Sequence, residues 1–135
     1  MQASHGINEV HLSRNRWIRY ALVILILEKI LQHSFVTIAF HADIGGIRSK
    51  VAVPADLLMV SGAIAALLYM VSLWGMIAGR KWAIPLVAGL ALFDLVGEFI
   101  AQGRWDIRIP VSFIVAILIL ILVFISRRRE PGQAL

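Results

Sequence analysis

Residues 17–40 read Trp17-Ile-Arg-Tyr-Ala-Leu-Val-Ile-Leu-Ile-Leu-Glu-Lys-Ile-Leu-Gln-His-Ser-Phe-Val-Thr-Ile-Ala-Phe40, and this stretch decides what kind of chain the rest belongs to. A helix of that length is about 36 Å long, enough to cross the ~30 Å hydrocarbon layer of a bilayer. Two formal charges, an amide and an imidazole (Glu28, Lys29, Gln32 and His33) interrupt an otherwise apolar run. If the segment spans a bilayer, Glu28 and Lys29 lie near its centre. Ionisable groups at that depth are costly, and they mark either a site or a buried pairing.

The remaining residues repeat the pattern. Of 135 residues, 60% are hydrophobic, and the mean hydropathy is +0.85. A soluble domain is about half apolar or slightly less, and the excess here is gathered into four runs, at roughly 17–40, 55–78, 82–102 and 109–126. Each is long enough for a membrane helix. The expected fold is all-α: a polytopic four-helix bundle forming one membrane domain over 1–135, with tails at 1–16 and 127–135. The first run is too long and too far from the start for a cleaved signal peptide, so it is expected to stay. Cysteine is absent, which excludes disulfides, thiolate metal sites and thiol nucleophiles.

A net charge of +5 and a pI near 10.5 would suggest nucleic acid for a soluble protein. Here the cations cluster at the ends of the runs, as the positive-inside rule requires, and no nucleic-acid partner is expected. Arg14, Arg16, Arg19, Arg80, Lys81, Arg127, Arg128 and Arg129 would share one side, against Arg48, Lys50, Arg104 and Arg108 on the other. Eight against four places both termini in the cytoplasm of a multi-pass protein of the cell membrane.

Outside the runs, His5 and His11 read as solvated surface histidines of a frayed arm or short surface helix. Trp17 and Tyr20 fit an interfacial aromatic belt. In the first connection Gly45-Gly46 permits a tight turn, and Ile47, Val51 and Val53 alternate as a short extended piece would. Pro54 suits a helix start, and Asp56 follows as a capping charge in the first turn. The second run repeats small residues at a spacing of four (Ser61/Ala65, Gly62/Ala66, Gly75/Gly79), which lets helices approach closely. Gly79-Arg80-Lys81 is short enough to force an antiparallel hairpin. The last run is apolar on every face, as a lipid-exposed or subunit-contacting helix would be.

Residues four apart share a helix face. The first run carries Lys29, His33 and Thr37 on one stripe, with Glu28 and Gln32 beside it; the third carries Asp94, Glu98 and Gln102. Both runs point the same way in a four-span chain, so matching depths pairs Lys29 with Asp94, His33 with Glu98 and Thr37 with Gln102. The candidate proton-, cation- or substrate-binding residues are therefore Glu28, Lys29, Gln32, His33, Asp94 and Glu98, between helices one and three. Glu28, Asp94 and Glu98 outnumber Lys29, so one or two carboxylates must be protonated, cation-bound or paired with a charged His33.

Four functions fit these residues. The first is proton- or cation-coupled transport of a small solute; four helices barely enclose a path, so a homodimer is expected, through the small-residue face of helix two or through helix four. The second is a membrane-embedded enzyme acting on a lipid, sterol or quinone, with a carboxylate and His33 as acid and base. The third is an accessory subunit that docks a larger partner. In the fourth, the stripe only clamps helix one to helix three. No cofactor or metal is expected: His33 is the only deep histidine, His41 lies on the same helix, and Glu28 and His33 are about 140° apart round the axis, a poor fit to a Glu-x-x-His di-iron pattern. Glu28 is similar to the first-span glutamate of small multidrug-resistance transporters, whose patterned aromatics and glycines this chain lacks. The charges in the first and third runs resemble those of phosphate-starvation-inducible E proteins, another small four-span group. No residue role is carried over from either.

Overall fold

The computed structural model describes residues 3–103 and 110–128, with the side chains of 16–101, 103 and 111–128. His5, His11, Arg14, Gln102 with its proposed Thr37 rung, the third connection with Arg104 and Arg108, and Arg129 lie outside the described residues or side chains. The described chain is all-helical: α1 (Ala3–His41), α2 (Ala55–Ile77), α3 (Ala83–Gln102) and α4 (Pro110–Arg127), with a 3-10 turn at Ile44–Lys50. Arg16–His41, Ala55–Ile77 and Ala83–Ala101 are each long and apolar enough to cross a membrane, and Val111–Arg127 is a shorter apolar helix. This is the four-helix bundle of a membrane protein.

α1 departs from the expected boundary. It begins at Ala3 and runs 39 residues without a break, about 58 Å at 1.5 Å per residue. No proline interrupts residues 3–16, so the helix of residues 17–40 continues backwards through the polar arm.

The helices form a ring in which each packs on its sequence neighbours and α1 also meets α4, leaving α1 and α3 on the diagonal. α1 and α2 fit most closely where Gly62 of α2 backs onto α1. A Cβ built on Gly62 would stand 3.1 Å from Thr37 Oγ1, so the position needs the smallest side chain. Gly62, Ala65, Ala66 and Gly75 are all buried inside the chain. The bundle centre is closed by Leu22, Ile26, Val87, Ala91, Ala116 and Ile119, while Ile24, Leu31, Phe35, Leu57, Ile77 and Val111 stand outward, each more than half exposed. Large apolar side chains displayed in this way round the bundle suit a hydrocarbon solvent.

Arginines finish both ends of the α1–α2 pair. Arg19 donates from Nη2 to Met76 O at 2.8 Å and Ile77 O at 2.7 Å, adding a charged donor to the carbonyls at the end of α2. Beyond it Gly79, at φ 68°, turns the chain, and Arg80 N–H reaches back to Gly75 O at 2.8 Å, the longer bond of a Schellman motif. At the other end Arg48 Nη1 donates to Phe40 O at 3.1 Å and Nη2 to Asp56. Asp56 therefore sits in the first turn as expected, but its bond is to Arg48; α2 has no side-chain cap hydrogen bond. The turn between the helices is 3-10 where alternation suggested an extended piece. Asp43, Gly45 and Gly46 all take positive φ and coil it, and the backbone is extended at Val51, φ −105° and ψ 150°.

Candidate functional site

Lys29 is fully buried. Its Nζ lies 3.1 Å from Asp94 Oδ2, 2.9 Å from Ser112 Oγ, 3.0 Å from Ser112 O and 3.1 Å from Gln32 Oε1. An ammonium has three protons, so four acceptors compete for three donors and no part of the charge faces apolar surroundings alone. Asp94, its side chain 3% exposed, is equally engaged. Oδ2 also accepts from Tyr69 OH at 2.9 Å, and Oδ1 lies 3.0 Å from His33 Nε2. An ionised carboxylate only accepts, so this bond places a proton on Nε2. The imidazole stacks on the Tyr69 ring, with centroids 5.6 Å apart and planes at 24°.

Every helix contributes: α1 gives Lys29, Gln32 and His33, α2 gives Tyr69, α3 gives Asp94 and α4 gives Ser112. The diagonal placement of α1 and α3 explains why. Their axes are too far apart to pack directly, and only side chains of the length of lysine and histidine reach Asp94 across the middle. Tyr69 and Ser112 then close the remaining two sides. Lys29 and Asp94 meet as depth matching predicted. His33 does not follow the predicted rung to Glu98; its hydrogen bond is to Asp94. The imidazole shares the carboxylate that Lys29 already holds. Glu98 lies half-buried one turn further along α3 and has contacts of its own.

Glu28 stands apart. It is only partly buried, yet its Oε2 is sealed from solvent and has no hydrogen-bond partner. His33 is the least enclosed member of the ionic centre, its side chain 15% exposed. One turn on, Thr37 donates to His33 O at 2.8 Å and lines an outward-facing groove of about 400 Å³ with Ile38, His41, Met59 and Val60. Among the described residues no three His, Cys, Asp or Glu side chains converge as metal ligands would.

Tyr69 and Ser112 are the members that sequence reasoning passed over. Tyr69 carried a usable signal: it is a phenol in the middle of an otherwise apolar run, and buried tyrosine hydroxyls find partners. Ser112 carried none, because it stands at the start of α4 where depth counted from the helix end puts it at the rim. No protein-family model, curated protein or solved structure matches the chain.

Proposed function

We propose that the chain is a multi-pass protein of the cell membrane, with both termini cytoplasmic, that handles protons at this centre and couples them, or another small cation, to movement of a small solute. The observation that supports the reading most is the company kept by Asp94. A lysine, an imidazole and a phenol meet one carboxylate inside an apolar bundle, with the second carboxylate of Glu28 on the adjoining stripe. Titratable groups gathered at mid-span are the ordinary equipment of proton relays. In the present conformation Lys29 and Asp94 are closed off, and His33 is partly exposed. Transport therefore needs a second conformation in which α1 shifts against α2. The small-residue face of α2 is already used within the chain, so a homodimer would form through the outer face of α4, where Ile114, Leu118 and Ile121 are exposed.

A structural reading has an observation of its own in its favour. Lys29 has all three protons engaged and Asp94 accepts from three donors, with four helices contributing, which is what a pin holding the ring together would need. Purified protein in liposomes containing a pH-sensitive dye separates the two. Proton flux that disappears in Glu28→Gln while helix content and melting temperature hold supports transport. If the wild type carries no proton under any ion gradient, and Asp94→Asn only lowers the melting temperature, the pin is the whole role.

A further inference from the structure

Glu28 and Asp94 are both carboxylates on the polar stripes, but their surroundings differ in kind. Asp94 receives three donors. Glu28 Oε2 receives none, although it is shut off from solvent. Position decides the difference. Glu28 lies about 100° round α1 from Lys29, but only about 40° from Ile24 and about 60° from Leu31, which are 65% and 71% exposed on the outer face. It therefore sits on the flank of the helix, between the ionic centre and the outer surface.

The titratable or charged groups on the polar stripes are Lys29 and His33 from α1, Tyr69 from α2, and Asp94 with Glu98 one turn on from α3; α4 gives the neutral Ser112. The one permanent cation among them, Lys29, is committed to Asp94, Ser112 and Gln32. An ionised Glu28 would hold its charge in an apolar flank with no donor on Oε2, and that is far more costly than a neutral carboxyl.

We propose that Glu28 is a protonated carboxylic acid in the resting protein, that it is the group which takes up and releases the proton, and that it is a modification site for membrane-soluble carbodiimides. Lys29 and Asp94 form a fixed ion pair beside it. The exchange role rests on the proton-linked reading above; the protonated state and the reactivity do not. The chemistry requires the acid form. The carboxyl proton moves to one carbodiimide nitrogen and the carboxylate oxygen bonds to the central carbon, whose C=N bond to that nitrogen becomes single. The resulting O-acylisourea rearranges by acyl transfer to nitrogen, giving a stable N-acylurea with no leaving group.

The test is dicyclohexylcarbodiimide added to the full chain in liposomes, read by intact mass and by peptide mapping. One adduct per chain is expected on Glu28. It should form more slowly as pH rises, vanish in Glu28→Gln, and abolish any proton flux the wild type shows. Glu28→Gln should melt with the wild type, since Oε2 makes no bond to lose. An adduct on Asp94 or Glu98 in place of Glu28, or a folded protein that stays unlabelled, overturns the proposal. Labelling of Glu28 without any wild-type flux upholds the acid site and removes the transport reading. Labelling that leaves a measured flux intact removes the exchange role.

Discussion

Neutralising the two ends of the buried ion pair, singly and together, tests the centre most directly. Asp94→Asn keeps the side-chain size and leaves the Lys29 ammonium fully buried with neutral acceptors alone, Gln32, Ser112 and the new amide oxygen. Breaking a buried pair by removing one partner costs about 3–5 kcal/mol. Unfolded helices that remain in detergent find other partners, which argues for the lower half of that range. Lys29→Met leaves the Asp94 carboxylate with Tyr69 OH and His33 Nε2 at 2.9 and 3.0 Å. Asp94 thus keeps two donors, so this variant should be the milder of the two. Replacing both charges by neutral groups of similar volume removes the stranded charge as well, and such replacements are often close to neutral. With singles near 3 kcal/mol each, their sum is about 6, and the double variant should cost only about 1–2 kcal/mol. Unfolding in mixed micelles, followed by tryptophan fluorescence and far-UV circular dichroism, measures all three. A double variant whose cost equals the sum of the singles within about 0.5 kcal/mol would show two independent sites and refute the coupling.

Other perturbations should sort by burial. Tyr69→Phe removes one bond to Asp94 Oδ2 while keeping the ring against His33, and a loss of about 1 kcal/mol in the same micelle assay is expected. Gly62→Val drives a branched side chain into the Thr37 contact and should cost about 1–3 kcal/mol, with Gly62→Ala smaller because only a hydroxyl must give way; equal costs would mean that α1 and α2 do not approach closely there. Asp56→Asn breaks the pair with Arg48, whose acidic side chain is 73% exposed, so its effect should stay below about 1 kcal/mol and shrink in high salt. A large, salt-independent loss of melting temperature at Asp56 would contradict the exposed placement.

The helices were legible because hydropathy is summed over some twenty residues, and no single misreading erases a run that long. The Lys29 and Asp94 pair was legible for a related reason: two groups at equal depth on parallel helices have few other choices. What failed was finer than one turn. His33 meets Asp94, one turn from the Glu98 that depth matching assigned to it, a difference that treating residues as points along their helix axes does not resolve. Ser112 escaped notice because the long stem of Lys29 reaches across to α4, which a one-dimensional depth scale cannot represent. The apolar span of α1 begins about where composition put it, at Arg16, while the helix itself continues back to Ala3, because polar composition marks where a helix leaves the hydrocarbon and does not mark where it ends.

The placement of Glu28 bears on whether the centre is only a pin. A pin needs Lys29 and Asp94, and Gln32 and Ser112 already complete the lysine's bonds while Tyr69 and His33 give the carboxylate two further donors. Glu28 adds nothing to that arrangement: its buried oxygen makes no hydrogen bond, and an apolar residue at the same flank would pack without the cost of desolvating a carboxyl. Stability alone would therefore favour leucine or isoleucine there, as at Ile24 and Leu31 on either side. A buried carboxyl oxygen that makes no hydrogen bond is explained by a task that needs an acid at that depth. Glu28→Leu weighs the two explanations directly. A melting temperature at or above that of the wild type, together with loss of proton uptake, is the result expected of a functional carboxyl. A fall in melting temperature would mean that Glu28 supports the bundle and that the structural account of the centre is sufficient.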